Sequence, residues 1–151
     1  METSTPQGVD TASRHKMHWH VAWTHFPISA FIGSFTFMTL HLIAENQCYA
    51  LAAYVSLIAG AIVMIPTTLT GWFDWKKRYK GARVKLFLYK IRIAYAMIAV
   101  SIGVVVYQSV FPIGHLDVWH IYGHLFYFTG VALLFLGAAA EGYYGGRLSH
   151  R

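Results

Sequence analysis

The chain has 151 residues, 56% of them hydrophobic and 17% aromatic, against only 12% charged. That balance is too apolar for an ordinary soluble domain, and the length suits a single one. A formal charge of +6 raises nucleic acid as a partner, while the lone Cys48 excludes an internal disulfide, a CxxCH haem attachment and a thiolate-rich iron–sulfur or zinc site within this chain.

Residues 1–18 are polar, contain Pro6 and Gly8, and read as a flexible tail. The apolar run that follows is longer than that of a secretory signal peptide and no A-x-A site succeeds it, so the first span is expected to be retained. From Phe26 to Ala44 there are nineteen residues without formal charge, close to the ~20 needed to cross the hydrocarbon of a bilayer. Glu45, Asn46 and Gln47 break the run. The second begins at Cys48 and reaches Phe73, interrupted by Pro66 and Gly71. Pro66 predicts a kink whose freed carbonyl Thr67, Thr68 or a neighbouring helix would satisfy.

Residues 74–85 form a strongly basic connector, D-W-K-K-R-Y-K-G-A-R-V-K. The third run is Leu86 to Phe111, carrying Lys90 and Arg92 in its first turns. A loop with Pro112, Gly114, His115 and Asp117 leads to the fourth, from Trp119 to Tyr144. The expected organisation is a tail (1–18), a four-helix transmembrane domain (19–145) and a second tail (146–151). The predicted fold is all-α, an integral membrane antiparallel four-helix bundle with short connections. A soluble bundle would need a polar face on each helix, and these spans show none.

With four spans, both termini and the 74–85 connector share one side of the membrane. All twelve Lys and Arg fall there, counting Lys90 and Arg92 as snorkelling outward, whereas the other side has Glu45 and Asp117. This positive-inside pattern predicts cytoplasmic termini in a bacterial-type inner membrane. It also assigns the basic connector to anionic lipid rather than nucleic acid.

Nine histidines are many for this length, and an ionisable side chain within a span is read as functional. His41 lies three residues inside the end of the first span, and His124 five residues inside Trp119 on the fourth. Two imidazoles at matched depth on separate helices are what a bis-histidine haem b requires. His41 and His124 are therefore the expected axial pair, with His120, one turn from His124, as an alternative ligand or hydrogen-bonding neighbour. Ala30 and Ser34 on the His41 face would let the macrocycle approach. Its propionates would find Asn46, Gln108, His115, Trp119 and Tyr122 on this side, with no cation unless a partner subunit supplies one. The competing reading is that these histidines make interhelical hydrogen bonds.

His25 is sixteen residues from His41 and points about 160° away around the helix. It could join Asp74 beside Trp72 and Tyr79 in a proton-relay or quinone-headgroup site, hold a second haem, or simply bond the first two helices together. Glu141 lies near the same interface and could belong to that cluster or take Arg92 as counter-ion. The tryptophans fall at span ends, as an interfacial belt does. The mid-span glycines suit close helix packing or, second, room for a macrocycle.

The segments H-F-P-I at 25–28, T-G-W-F-D-W at 70–75 and E-G-Y-Y-G-G-R-L at 141–148 resemble the small four-span membrane family catalogued as domain of unknown function 2231. The resemblance covers nearly the whole chain after the tail, with its motifs in order. It implies four membrane helices and singles out His25, Asp74, Gly145 and Gly146. It carries no settled activity, and His41 and His124 lie outside its motifs.

The leading functional expectation is a b-type cytochrome membrane subunit in a larger respiratory complex. It would pass electrons between a periplasmic redox partner, a cytochrome or iron–sulfur protein, and quinone or a second centre. The alternatives are a haem-free structural or assembly subunit and a small metal- or proton-handling protein using the His-rich N-terminus. The loops leave little room for a catalytic domain, so an electron-transfer subunit is expected rather than a stand-alone enzyme.

Overall fold

The computed structural model describes residues 11–79, 85–111 and 121–149, with side chains given for 23–73, 75–77, 88–111 and 122–145. Four helices account for nearly all of them: α1 (Thr11–Ala44), α2 (Gln47–Tyr79), α3 (Lys85–Val110) and α4 (Ile121–Ser149). Each contains a stretch long and apolar enough to cross a membrane, of 22, 31, 23 and 24 residues in chain order. The first helix starts at Thr11, inside the segment expected as tail, and the fourth continues to Ser149.

One buried seam on each helix explains the bundle. On α1 it runs through Pro27, Phe31, Ser34, Met38 and His41, and on α2 through Ala50, Ala53, Leu57, Gly60 and Met64. Met97, Ser101, Val104 and Gln108 form it on α3, and His124, Tyr127, Val131, Leu134 and Ala138 on α4. The alternating spacing of three and four keeps a single face inward, as in a left-handed bundle. Successive helices pack antiparallel, and α4 closes the ring against α1. Outside the seams the surface is apolar rather than polar. Leu51, Ile62, Val106, Leu125 and Leu136 are all more than half exposed, the arrangement a hydrocarbon solvent favours. The chain is thus a multi-pass membrane bundle.

Lipid tails are as apolar as the seams, so close packing rather than hydrophobic burial must hold the helices together. Glycines supply that closeness. A Cβ at Gly60 would lie 2.8 Å from the Phe31 ring of α1, and one at Gly137 2.8 Å from Met97 of α3. A Cβ at Gly130 would collide with Val104. At these positions the glycines serve packing.

Both intrahelical prolines are accommodated without breaking a helix. Pro27 has no N–H, which orphans the Trp23 carbonyl four residues earlier. The Thr67 hydroxyl of α2 lies 3.3 Å from that oxygen and 2.8 Å from the carbonyl of Val63 on its own helix. The sequence pattern offers Thr67, Thr68 or a neighbouring helix for the carbonyl freed by Pro66, which is that of Ile62. In the structure Thr67 serves Val63 and, across the interface, the site of the other proline. Ser34 adds a second polar tie between α1 and α2, donating to the Ala53 carbonyl at 2.8 Å.

Gly130→Leu is expected to destabilise the bundle by about 1–3 kcal/mol, overpacking exceeding the gain in helix propensity. Unfolding in mild detergent should show the loss, and Val104→Ala in the same chain should recover part of it. Strictly additive losses would refute the contact.

Candidate functional site

The site begins with the two-residue turn between α1 and α2. Glu45 takes φ of 52° and its N–H donates to the His41 carbonyl at 2.8 Å, an αL cap that ends α1. Asn46 starts α2 as its N-cap, its side-chain oxygen accepting the Cys48 N–H at 2.9 Å. The same residue's carbonyl accepts the Tyr49 N–H at 3.1 Å and the His41 Nδ1–H at 3.0 Å. A carbonyl can only accept, so Nδ1 carries the hydrogen. In the neutral ring the lone pair is then on Nε2.

That nitrogen is buried. His41 is 1% exposed, and its Nε2 has no hydrogen-bond partner among the described residues. Across the α1–α4 interface lies His124, 4% exposed, three residues inside the start of α4. The two rings are 5.7 Å apart between centroids, with an interplanar angle of 24°. Since His41 Nε2 makes no hydrogen bond, the pair is not an interhelical imidazole–imidazole hydrogen bond.

The donor set can be tested against a metal centre. Two metal–nitrogen bonds of ~2 Å, with about 1 Å more from each nitrogen to its ring centre, separate the centroids by ~6 Å. The observed 5.7 Å is close to that value. Among the described residues no three His, Cys, Asp or Glu side chains come together. A structural zinc needs four ligands and a catalytic one three. A haem iron needs only two from the protein, one for each face of the macrocycle. The two buried imidazoles match that number of donors.

Space for the macrocycle is more restricted than the sequence pattern implies. One layer inward, Met38 and Tyr127 are wholly buried. Phe35 stacks on Phe135 at 4.8 Å and lies 5.5 Å from Phe128. Ser34, expected to leave room beside His41, is filled in by its hydrogen bond to α2. The buried residue of α2 nearest this end of the bundle is the small Ala50.

The other expected residues are not gathered into this centre. His120 lies outside the described residues, as do His115 and Trp119. His25 is exposed on the outer face of α1, consistent with its angular offset from His41. The side chains of Asp74 and Tyr79, its expected company, also lie outside the described set. Trp72 carries the Lys76 ammonium 3.9 Å above its ring, a cation–π contact of the kind common at interfaces. Glu141 finds its counter-ion in Lys90, at 3.6 Å, rather than in Arg92, which is exposed. Lys90 is therefore not simply snorkelling outward, and its Nζ lies 3.6 Å from where Gly145 would carry a Cβ.

Two features escape sequence reasoning. One is the Asn46 carbonyl as the group orienting His41, because every residue has a carbonyl and nothing marks this one. The other is the Lys90–Glu141 partnership, which depends on the register of α3 against α4. No protein-family model, curated protein or solved structure matches the chain.

Glu141 is 14% exposed and Lys90 29%, so removing the cation leaves a carboxylate uncompensated in a poorly hydrated place. Lys90→Met is expected to lower stability in detergent more than Arg92→Met does. Adding Glu141→Gln should return part of the loss. Equal effects of the two single replacements would count against the pairing.

Proposed function

We propose that the chain is a b-type cytochrome membrane subunit, with His41 and His124 as the axial ligands of one haem. The observation that carries this reading is the buried Nε2 of His41, unpartnered among the described residues, in a ring stacked beside a second buried imidazole with centroids 5.7 Å apart. Leaving such an acceptor empty costs about 1–3 kcal/mol, and a ligand would remove that cost. A bound haem would supply reversible one-electron chemistry. The protein's own residues have separate tasks. Asn46 holds the His41 ring in one tautomer, which also strengthens Nε2 as a donor. Met38, Tyr127 and the Phe35 stack keep water from reaching the pair through the core.

By the positive-inside distribution of Lys and Arg, the histidine pair belongs to the side away from the cytoplasm. A periplasmic redox partner would dock there, and quinone or a second centre would exchange electrons toward the basic side. The four-span family resemblance is compatible with this role as a membrane subunit.

A haem-free scaffold is the second reading, favoured by the wholly buried Met38 and Tyr127 beneath the pair and the Phe35 stack deeper. Purified protein separates the two. The cytochrome reading expects about one haem per chain and a reduced-minus-oxidised b-type spectrum. His41→Ala and His124→Ala should each abolish haem retention while the helical circular dichroism persists. A colourless, folded wild-type preparation supports the scaffold, and unchanged haem in both variants overturns the ligand assignment.

A further inference from the structure

The seam spacing of three and four does not stop where the apolar core ends. On α4 the next positions after Leu134 and Ala138 are Glu141 and Gly145, and on α3 the positions preceding Met97 are Ala94 and Lys90. A charged pair thus occupies the inward faces of two membrane helices, at the end of the bundle opposite the histidines. Ionisable groups in such places are read as functional by default.

The pair is a poor salt bridge. Lys90 Nζ stands 3.6 Å from Glu141 Oε2, outside hydrogen-bonding reach. The other oxygen, Oε1, is buried and has no hydrogen-bond partner among the described residues. An ionised carboxylate accepts through both oxygens, and a buried ion pair is well compensated only when those remaining sites are filled. A proton on Oε1 removes the negative charge that the site leaves unsolvated. Water reaches the place from the side of Lys90, which is 29% exposed against 14% for Glu141. Gly145, the next seam position, puts no side chain beside the ammonium, since a Cβ there would lie 3.6 Å from Nζ.

α4 packs on α3 and α1. Toward this end the other described titratable groups on those helices, Tyr89, Arg92 and Tyr95 of α3, His25 of α1 and Tyr143 of α4, are exposed, and Tyr144 is half-buried. Among the described residues, Lys90 is therefore the cation that acts on the carboxyl directly.

We infer that Glu141 is a proton-binding site, loaded from the Lys90 end of the bundle. Water or hydronium at that end gives up a proton, an O–H bond forms on Oε1, and Lys90 keeps its own protons. The pair changes from neutral to singly positive. This site goes beyond the cytochrome reading and does not depend on it, because it lies at the other end from His41 and His124 and needs no haem.

The test uses the full-length protein, as purified, in lipid vesicles near neutral pH. Dicyclohexylcarbodiimide, an apolar reagent that adds to protonated carboxyls, should modify Glu141 and spare the exposed Glu45, as read by peptide mass spectrometry. Lys90→Met, which removes the charge that holds the carboxyl ionised, should increase the modification several-fold, and Lys90→Arg should leave it near the wild-type level. Infrared spectra of protein labelled with 13C-glutamate give an independent reading. A protonated-carboxyl band should form reversibly on mild acidification, be missing from Glu141→Gln and persist in Glu45→Gln. Wild-type Glu141 that reacts no more than Glu45 overturns the inference, as does a Glu141 band that never forms while the helical circular dichroism persists. So does equal modification in Lys90→Met and Lys90→Arg. Wild-type protein that takes up no haem overturns the cytochrome reading alone and leaves these outcomes unchanged.

Discussion

One hydrogen bond organises the candidate site: Nδ1–H of His41 to the Asn46 carbonyl, 3.0 Å long. It joins the last turn of α1 to the second residue of the connection that follows. Because it decides which ring nitrogen holds the proton, it converts a buried histidine from a generic polar residue into a directed donor. The turn that makes it possible is only two residues long, and it works because Glu45 accepts a left-handed backbone conformation while Asn46 caps the next helix. The same atoms that reverse the chain thus aim the imidazole.

The rest of the bundle is built under a constraint that soluble bundles do not face. With apolar side chains outside as well as inside, burial gives little net drive for association. Specificity falls to shape and to a few polar ties. Gly60, Gly130 and Gly137 allow Phe31, Val104 and Met97 to come up against backbone. Ser34 and Thr67 connect α1 to α2 through hydroxyls that would be costly to leave unbonded in hydrocarbon. Thr67 has a further role, because it reaches the carbonyl that Pro27 leaves without a donor. Polar residues at opposite ends of the bundle are then used differently: the Lys90–Glu141 pair ties α3 to α4, whereas the histidine pair holds an open lone pair.

The tension within the site is between its donors and its packing. Two buried imidazoles at nearly metal-bridging separation, without a third protein ligand among the described residues, match what a haem iron takes from a protein. The layer directly beneath them holds the wholly buried Met38 and Tyr127, and the Phe35 stack lies deeper. Under the proposed function, a cofactor held by this pair would sit at the end of the bundle. Such a position would suit the proposed exchange with a partner outside the membrane better than one deep in the core.

The four spans, their lengths and the matched depth of His41 and His124 were all readable from the chain alone. Hydrophobic run length and helical rise are properties of local sequence, and a bilayer imposes one thickness on every span. The angular separation of His25 from His41 was equally legible, since 3.6 residues per turn holds along any continuous helix. What tertiary structure decided was everything that depends on how one helix is rotated and slid against another. That Ser34 is filled in by α2, that Thr67 serves Trp23, and that Glu141 takes Lys90 rather than Arg92 all follow from interhelical register. Among spans that are apolar on every face, residue type says little about rotation. Glycine contacts and a few hydroxyls set the register, and only their positions in space reveal it.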